Sequence, residues 1–243
     1  MQLIKQTVLL TGATSGIGRH LAGKLHELGN QVIVCGRQPE PLAALATQYA
    51  GLATYVCDVS DPTHCAAFAH WATSTYPHLN VIINNAGVMQ VLDLTQAVDL
   101  TKVTTEIATN LLAPIHLISL LASHLQQQPE AAILNITSGL AFTPLASVPV
   151  YSATKAALHA FTMCLRHQLR ATAVKVFEII PPAVETNLGH ADHYDRSNDH
   201  PLSVAAFVEA MLQVIESDTY EVGIGAAEGL RQQREALFPL LNP

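Results

Sequence analysis

Short apolar runs alternate with longer helical patterns along almost the whole chain, and this alternation is the feature that most restricts the fold. Repeated strand–helix–strand units build a parallel sheet that helices cover on both faces. The sequence therefore predicts an α/β protein. The predicted strands are Thr7–Leu10, Gln31–Cys35, Thr54–Cys57, Val81–Asn84, Ala132–Thr137, Lys175–Ile180 and Glu221–Gly225.

Helical patterns fill most of the segments between these runs, and some have recognisable ends. Asp61 followed by Pro62 is typical of a helix N-terminus, and Gly29 follows the first helix where a left-handed residue is often needed. The predicted helices are Ile17–Leu28, Pro41–Tyr49, Thr63–Thr75, Leu100–Gln126, Tyr151–Arg170 and Ala205–Glu216.

Length and composition favour one globular domain over residues 1–243. The 243 residues fit a single core, 49% of them are apolar, and only 13% are charged. The net charge of −7 with twelve Lys and Arg argues against nucleic acid as a partner. No apolar run approaches the ~20 residues that a membrane span needs, and the four cysteines show no zinc or redox spacing. We expect a cytoplasmic protein without a membrane partner or a bound metal.

The segment 181–201 departs from the alternating pattern. It contains four prolines or glycines, several Asp and His residues and little apolar periodicity. A long irregular segment inside a compact domain is typical of a functional lid, so we predict a substrate-side loop, with a tolerated surface loop as the alternative. His190, His193 and His200 match no closed zinc pattern, and we expect them to face solvent.

A glycine-rich turn follows the first predicted strand, with the sequence Thr-Gly-Ala-Thr-Ser-Gly-Ile-Gly at 11–18. A backbone without Cβ atoms can approach a pyrophosphate, and the N-terminus of the next helix favours its negative charge. Glycines alone would fit an ordinary tight turn, but this strand–turn–helix context favours dinucleotide binding. The expected cofactor contacts in the turn are Gly12, Thr14, Ser15, Gly16, Ile17 and Gly18.

Arg37, at the end of the second predicted strand, indicates which dinucleotide is bound. An NAD-binding protein usually has an Asp or Glu here to bind the ribose diol, whereas a guanidinium suits the adenosine 2′-phosphate. The sequence predicts NADP(H) over NAD(H), with a merely solvated Arg37 as the alternative. Asp58 either accepts from the adenine amino group or caps the third strand. The small residues of Asn-Asn-Ala-Gly at 84–87 would let the backbone lie close to the cofactor ribose.

Tyr151 and Lys155 are one helical turn apart on the same helix face. An ammonium beside a phenol lowers the phenol pKa from its ordinary value of about 10, so the pair can exchange a proton. Ser138 follows the fifth predicted strand, at the sheet edge where open α/β folds bind ligands, and can donate to a substrate carbonyl. Asn110 lies inside a predicted helix and is structural on residue type alone.

Taken together, these motifs resemble the single-domain short-chain dehydrogenases/reductases over essentially the whole chain. The stretches 137–142 and 150–159 look like the DltE-like branch of bacterial short-chain oxidoreductases. The resemblance implies a Rossmann-type, doubly wound, mostly parallel seven-stranded sheet with helices on both faces. It also implies an enzyme that transfers hydride reversibly between a nicotinamide and a carbonyl or secondary alcohol of a small molecule.

The resemblance further implies individual roles. Ser138 would polarise the carbonyl oxygen and Tyr151 would supply the proton. Lys155 would lower the pKa of Tyr151 and bind the nicotinamide ribose, and Asn110 would become catalytic by holding a water between Lys155 and solvent. The other implied cofactor contacts are Asp58, Val59, Asn85, Ala86, Gly87, Tyr151, Lys155, Pro181, Val184 and Thr186.

One departure from the family pattern and two alternative functions accompany this interpretation. Pro182 stands where the family usually has glycine, which fixes φ and stiffens the nicotinamide side. In relatives the helices matching Leu100–Gln126 and Tyr151–Arg170 pair subunits, so we expect a homodimer or homotetramer.

A non-catalytic NADP(H) sensor or scaffold would not need the proton donor. A two-domain epimerase or dehydratase would need a different glycine spacing and a longer chain.

Overall fold

In the computed structural model, which describes residues 1–188 and 201–243, seven strands form one parallel sheet. Their spatial order is β3-β2-β1-β4-β5-β6-β7, so the chain winds outward from the centre in both directions. This confirms the predicted doubly wound α/β fold. The strands are β1 (Thr7–Thr11), β2 (Gln31–Gly36), β3 (Ala53–Val56), β4 (Val81–Asn84), β5 (Ala131–Ile136), β6 (Val174–Ile180) and β7 (Glu221–Gly223).

The predicted helices are present, with ends that shift by at most two residues. Asp61 caps the third helix by accepting from the backbone N–H of Thr63 at 2.7 Å, as its sequence position predicts. The helices are α1 (Gly16–Glu27), α2 (Pro39–Gln48), α3 (Pro62–Thr75), α4 (Leu100–Ile107), α5 (Ala113–Gln126), α6 (Pro149–Leu169), α7 (Val204–Glu216), α8 (Ala226–Gln233) and α9 (Phe238–Leu241).

Both faces of the sheet are buried under helices, which explains why the strands read as continuous apolar runs. Side chains of a strand alternate between faces, so Val8 packs on one side with α1 and α7 and Leu9 packs on the other. On the second side Phe68 of α3 and Leu121 of α5 complete the core. The carboxyl ends of the strands are left for ligands.

The predicted helix Leu100–Gln126 is interrupted by a π-helical turn at Ala108–Leu112. Within the turn, Asn110 is bound by the segment after β4: its Nδ2 donates to the Val88 carbonyl at 2.8 Å, and its Oδ1 accepts the Val88 N–H at 2.9 Å. Among the described residues, Leu100–Gln126 alone is long and apolar enough to cross a membrane by length and composition. Here it packs on α3 and α6.

The C-terminal helices α8 and α9 were not predicted from the sequence. They lie beside the segment that follows Ser138: the Thr143 hydroxyl donates to the Leu230 carbonyl at 3.2 Å, and the Ala146 N–H donates to Asn242 Oδ1 at 2.6 Å. Both helices are short and almost wholly without buried side chains. They therefore carry little of the apolar periodicity that identifies a helix in sequence.

Candidate active site

β1 and β4 are neighbours in the sheet although two strands separate them in sequence, so the chain changes winding direction between them. Ligands of open α/β sheets bind at this point, outside the carboxyl ends of the strands. The glycine-rich turn follows β1 and the Asn-Asn-Ala-Gly segment follows β4. The topology thus brings the two predicted cofactor-binding motifs together.

The turn needs its glycines for both conformation and space. Gly12 and Gly16 have φ values of +69° and +50°, in the left-handed region that side chains disfavour. A Cβ on Gly12 would lie 2.7 Å from Ala86 Cα, and one on Gly18 would collide with the Gly12 carbonyl oxygen. Ser15 is the extended N-cap residue of α1. The result is a backbone cradle at a helix N-terminus, which fits a pyrophosphate.

Asn85 braces this cradle. Its Nδ2 donates to the carbonyl oxygens of Thr11 at 3.0 Å and Gly12 at 3.1 Å. The Thr11 hydroxyl oxygen in turn accepts the backbone N–H groups of Asn85 at 3.1 Å and Ala86 at 3.0 Å. The expected contact residues Asn85, Ala86 and Gly87 therefore lie against the glycine turn, with the Asn85 side chain used to hold its shape.

Arg37 and Asp58 lie at the strand ends on the adenosine side. Arg37 is exposed and, within the described part of the chain, its guanidinium has no hydrogen bond or ion pair. The preceding residue, Gly36, packs closely on the glycine turn, because a Cβ there would lie 2.6 Å from Thr14 Cγ2. Arg37 therefore lies next to that turn. Asp58 Oδ1 accepts from the N–H and the hydroxyl of Ser60, which is the capping role left open by the sequence.

The remaining predicted contacts fall into two groups. Val59 and Ile17 pack on the apolar core, Val59 wholly and Ile17 partly. Pro181 accepts the Gly139 N–H at 3.1 Å through its carbonyl, and Val184 pairs with Leu202 in a parallel bridge.

Thr186 lies over the glycine turn, because a Cβ on Gly16 would meet its Cγ2 at 3.1 Å. The two ends of the predicted substrate-side loop are thereby tied beside the cofactor cradle. The part of that loop from 189 to 200, which includes His190, His193 and His200, lies outside the described residues.

Ser138, Tyr151 and Lys155 converge at the carboxyl end of β5. Ser138 directly precedes a short 3₁₀ turn, and its hydroxyl oxygen accepts the Leu140 N–H at 3.1 Å. The Ser138 side chain also lies close enough to Tyr151 to lower the pKa of that phenol. Tyr151 and Lys155 lie in the first two turns of α6 and are 6% and 4% exposed. Lys155 Nζ donates to the Ile136 carbonyl at 2.8 Å and lies 5.6 Å from the Tyr151 ring centroid.

Burial sets the ionisation of this pair. It raises the pKa of Tyr151 to about 12, against the lowering effect of the nearby Ser138 side chain, and Glu106 adds to the increase. Burial also lowers the pKa of Lys155 to about 8, with Glu178 opposing it. The prediction that Lys155 lowers the Tyr151 pKa below its ordinary value is therefore wrong for this structure, because the cost of burying a phenolate is larger. Tyr151 keeps its proton at neutral pH.

Asn110 is buried between the segment after β4 and α6. Besides its two bonds to Val88, its Nδ2 donates to the Thr154 hydroxyl at 3.2 Å. A Cβ on Gly87 would lie 3.5 Å from Asn110 Oδ1 and 3.8 Å from Lys155 Nζ, so Asn110 and Lys155 border the same space. Single π-helical turns are frequent at functional sites. The hydrogen bonds of Asn110 agree with the structural role inferred from its residue type. Its position beside Lys155 agrees with the role that the family resemblance implies.

An apolar wall lies against Tyr151. Met89 and Val148 are buried there, and Val91, Leu140 and Leu145 are partly buried against them. Phe142 lies outside this wall and packs on Ile180 and Ala227. The wall makes the surroundings of the catalytic phenol mostly hydrophobic.

Two buried carboxylates near the catalytic pair were not predicted. Glu106, wholly buried and one turn before Asn110, accepts the Gln90 N–H at 3.2 Å. Glu178, also wholly buried, interrupts the apolar pattern of β6, and its Oε1 accepts from the Thr137 hydroxyl at 2.8 Å. The available signal was a charged residue within an otherwise apolar core strand.

Comparison with known proteins agrees with this arrangement. A family model described as short chain dehydrogenase matches residues 6–196. The uncharacterized oxidoreductase DltE of Bacillus subtilis (strain 168) is 43% identical, over 100% of this chain and 98% of that protein. A short chain dehydrogenase from Burkholderia cenocepacia J2315, solved with NADP, is 26% identical and superposes with a TM-score of 0.85. The match covers 99% of this chain and 99% of that chain.

A short chain dehydrogenase/reductase from Burkholderia phymatum, solved with NAD, also has a TM-score of 0.85. It is 20% identical, with 100% of this chain and 98% of that chain covered, and shows the shared fold alone. The family match spans the cofactor cradle, the π-helical turn and the Ser138–Tyr151–Lys155 group. The chain therefore belongs to the short-chain dehydrogenase/reductase family and is an NAD(P)-dependent oxidoreductase.

Proposed function

We propose that this protein is an NADPH-dependent carbonyl reductase that acts on an apolar small molecule. The observation that carries the proposal is that Ser138, Tyr151 and Lys155 are buried together at the end of β5, with Lys155 Nζ 5.6 Å from the Tyr151 ring centroid and an apolar wall against Tyr151. A protonated phenol next to a second hydroxyl is suited to a carbonyl oxygen. The wall of Met89 and its neighbours favours a substrate whose remaining surface is hydrophobic.

The chain's own residues fit the cofactor. The glycine turn at 12–18 would hold the pyrophosphate, and Asp58 and Val59 would border the adenine. Arg37 would bind the 2′-phosphate that distinguishes NADP from NAD, which supports NADP(H) because no acidic residue stands at that strand end. Asn85, Ala86 and Gly87 would border a ribose, with Pro181, Val184 and Thr186 on the nicotinamide side. The bound cofactor would supply the hydride.

The proton chemistry would follow from the catalytic group. Ser138 donates a hydrogen bond to the substrate oxygen, and the phenolic proton of Tyr151 passes to that oxygen. Lys155, charged at neutral pH, stabilises the resulting phenolate and orients the nicotinamide ribose. Asn110, held in the π-helical turn, would bind a water through which Lys155 exchanges protons with solvent.

The ionisation of Tyr151 favours reduction near neutral pH. With a pKa of about 12 the phenol holds the proton that reduction consumes. Alcohol oxidation needs the phenolate as a base, and that form is scarce at pH 7. We therefore propose carbonyl reduction as the faster direction under these conditions.

The experiment that tests the function combines cofactor titration with a substrate screen. NADPH and NADH are titrated by fluorescence, and a panel of apolar ketones and aldehydes is followed by loss of reduced-nicotinamide absorbance. Tyr151→Phe should abolish turnover, while the matched control Tyr76→Phe, on the far side of the fold against Trp71, should not. Cofactor binding without turnover across the panel would overturn the reductase and favour the sensor or scaffold.

We further propose that residues 1–243 form one domain, that 181–201 is its substrate-side loop, and that the protein assembles as a homodimer or homotetramer. Leu112 and Leu120 at α5 and Met163 on α6 are exposed, with 41%, 46% and 51% of their surface accessible. Exposed apolar side chains on these helices support burial against another subunit. Light scattering on the eluting protein would identify the oligomer, and a monomer would contradict the assembly. The cytoplasmic location stays a prediction.

A further inference from the structure

Glu178 is a wholly buried carboxylate in a central strand, and its two oxygens are held from different elements. Oε1 accepts from the Thr137 hydroxyl at 2.8 Å, just after β5, and Oε2 lies 2.8 Å from His159 Nδ1 on α6. A buried charge is costly unless hydrogen bonds and an opposite charge compensate it. The opposite charge has to come from the residues around it.

The elements packed around Glu178 carry several charged groups. From α6 these are Lys155 and Arg166, beside the titratable imidazole of His159; from β7 and α8 they are Glu221 and Arg231. Arg166 and Arg231 both bind Glu221, at 3.4 and 3.0 Å. Within residues 1–188 and 201–243, no lysine or arginine forms an ion pair with Glu178, and His159 is its ion-pair partner.

The same cluster has the residue types of a cation site, because ligand atoms of His159, Glu178 and Glu221 all lie within 4.8 Å of one another. However, Glu221 is already bound by two guanidinium groups, and His159 Nδ1 is bound to Glu178. A cation would have to displace these partners. The arrangement therefore fits a charge network better than a metal centre.

Adjacent residues at the end of β5 link Lys155 to this network. Lys155 precedes His159 by one turn of α6, so the two side chains lie on the same face. Its ammonium donates to the Ile136 carbonyl, and the next residue, Thr137, donates to Glu178. The end of β5 thus holds the ammonium and the carboxylate on adjacent residues. In agreement, Glu178 raises the pKa of Lys155 against the effect of burial.

We propose that Glu178 is a positioning residue whose carboxylate, held by Thr137 and His159, supplies the countercharge that keeps the Lys155 ammonium protonated in the catalytic centre. This rests on the proposed function only for its effect on turnover. The electrostatic part concerns two side chains of the free protein and is measured without a substrate.

The direct test is an NMR titration of protein labelled with ¹³C at the lysine ε-carbons. The chain has five lysines, and Lys155→Met assigns the signal of interest. In the wild type we expect Lys155 to titrate near pH 8. In Glu178→Gln its pKa should fall by about one unit, the lower end of what a close opposite charge contributes. An unchanged pKa in a folded Glu178→Gln variant would overturn the proposal.

The matched control is Glu221→Gln. It removes a carboxylate from the same cluster, but one that is bound by Arg166 and Arg231 and does not alter the pKa of Lys155. The Lys155 titration should move by less than about 0.3 unit. A Lys155 pKa shift equal to that in Glu178→Gln would contradict a specific role for Glu178, because the loss of either carboxylate would then lower the Lys155 pKa equally.

His159 provides a second pair of variants if Glu178→Gln does not fold. His159→Leu removes the partner that holds Glu178 Oε2 in place, so the carboxylate is less well positioned and the Lys155 pKa should fall. His159→Gln keeps an N–H donor and should restore it toward the wild-type value. Equal Lys155 titrations in His159→Leu and wild type would overturn the proposed arrangement.

Turnover gives an independent measure once a substrate is known. For carbonyl reduction, Glu178→Gln should match wild type within about two-fold at pH 6, where Lys155 is charged in both proteins. It should be about five-fold slower at pH 8, the ratio of protonated fractions for pKa values of 8 and 7. Loss of Tyr151 dependence would refute the proposed function, whereas an unshifted pH profile with Tyr151 dependence intact would refute the role of Glu178 alone.

Discussion

The cofactor cradle and the catalytic group lie at the same edge of the sheet but are built differently. The cradle consists of backbone held in place by close contacts, such as Gly12 against Ala86. The candidate catalytic group consists of Ser138 after β5 with Tyr151 and Lys155 of α6, and the carboxylate of Glu178 in β6 raises the pKa of Lys155. The cradle therefore depends on shape, and the catalytic group depends on electrostatics in a buried environment.

We expect the largest change in activity when the proposed proton donor is replaced. Tyr151→Phe removes the hydroxyl and leaves the ring in its apolar wall, so kcat for carbonyl reduction should fall about 10³-fold. The Kd for NADPH should stay within about two-fold, because the cradle is unchanged. Steady-state kinetics and fluorescence titration check both values. If the affinity for NADPH fell by a factor similar to the fall in kcat, cofactor binding and catalysis would not be functions of separate regions.

A substitution that distorts the glycine-rich turn should instead weaken cofactor binding. Gly12→Ala places a Cβ at φ +69° and 2.7 Å from Ala86 Cα, which strains the turn by about 2 kcal/mol and weakens NADPH binding about 30-fold. The matched control is Gly229→Ala in α8, where an added Cβ meets nothing within 4 Å. The control should bind NADPH normally, and unchanged affinity in Gly12→Ala would contradict a cradle based on shape.

Arg37 is the one place where charge should matter on the cofactor side. Arg37→Ala removes a charge-assisted contact with the 2′-phosphate, so the Kd for NADPH should rise about ten-fold and that for NADH should not change. Arg170→Ala, an exposed arginine at the far end of α6, is the control. If both cofactors weaken equally, Arg37 does not select between them.

The smallest effect is the pH dependence of the wild type. Reduction needs the charged Lys155, whose pKa is about 8, and the protonated Tyr151, whose pKa is about 12. As pH rises, Lys155 loses its proton first, so kcat/KM should fall to about half of its plateau at pH 8 and decrease further above it. A rate that increases between pH 7 and 9 would contradict this order of ionisation.

Much of the fold was predictable because its signals are local. Strands with two buried faces produce apolar runs, and helices between them produce the period that separates strand from helix. The interruption of Leu100–Gln126 was missed because it depends on Asn110 bonding to Val88, 22 residues away. The short helices α8 and α9 were missed because almost none of their side chains is buried.

The candidate site was predictable to the same extent. The glycine turn and Tyr151-x-x-x-Lys155 lie within a few residues each, and Ser138 follows a strand end, so spacing combined with placement on predicted strands and helices singled them out as candidates. Glu178 was missed because its partners, Thr137 and His159, come from two other elements.

The sequence by itself determined the order of strands and helices, the glycine-rich turn and the placement of Tyr151 and Lys155 on one helix face, since each is encoded in neighbouring residues. Only the tertiary structure decided how these groups ionise. Lys155 was expected to lower the pKa of Tyr151, yet the pKa of Tyr151 is raised. The reason is physical: the pair interaction is local, whereas the cost of burying a charge depends on everything packed around it.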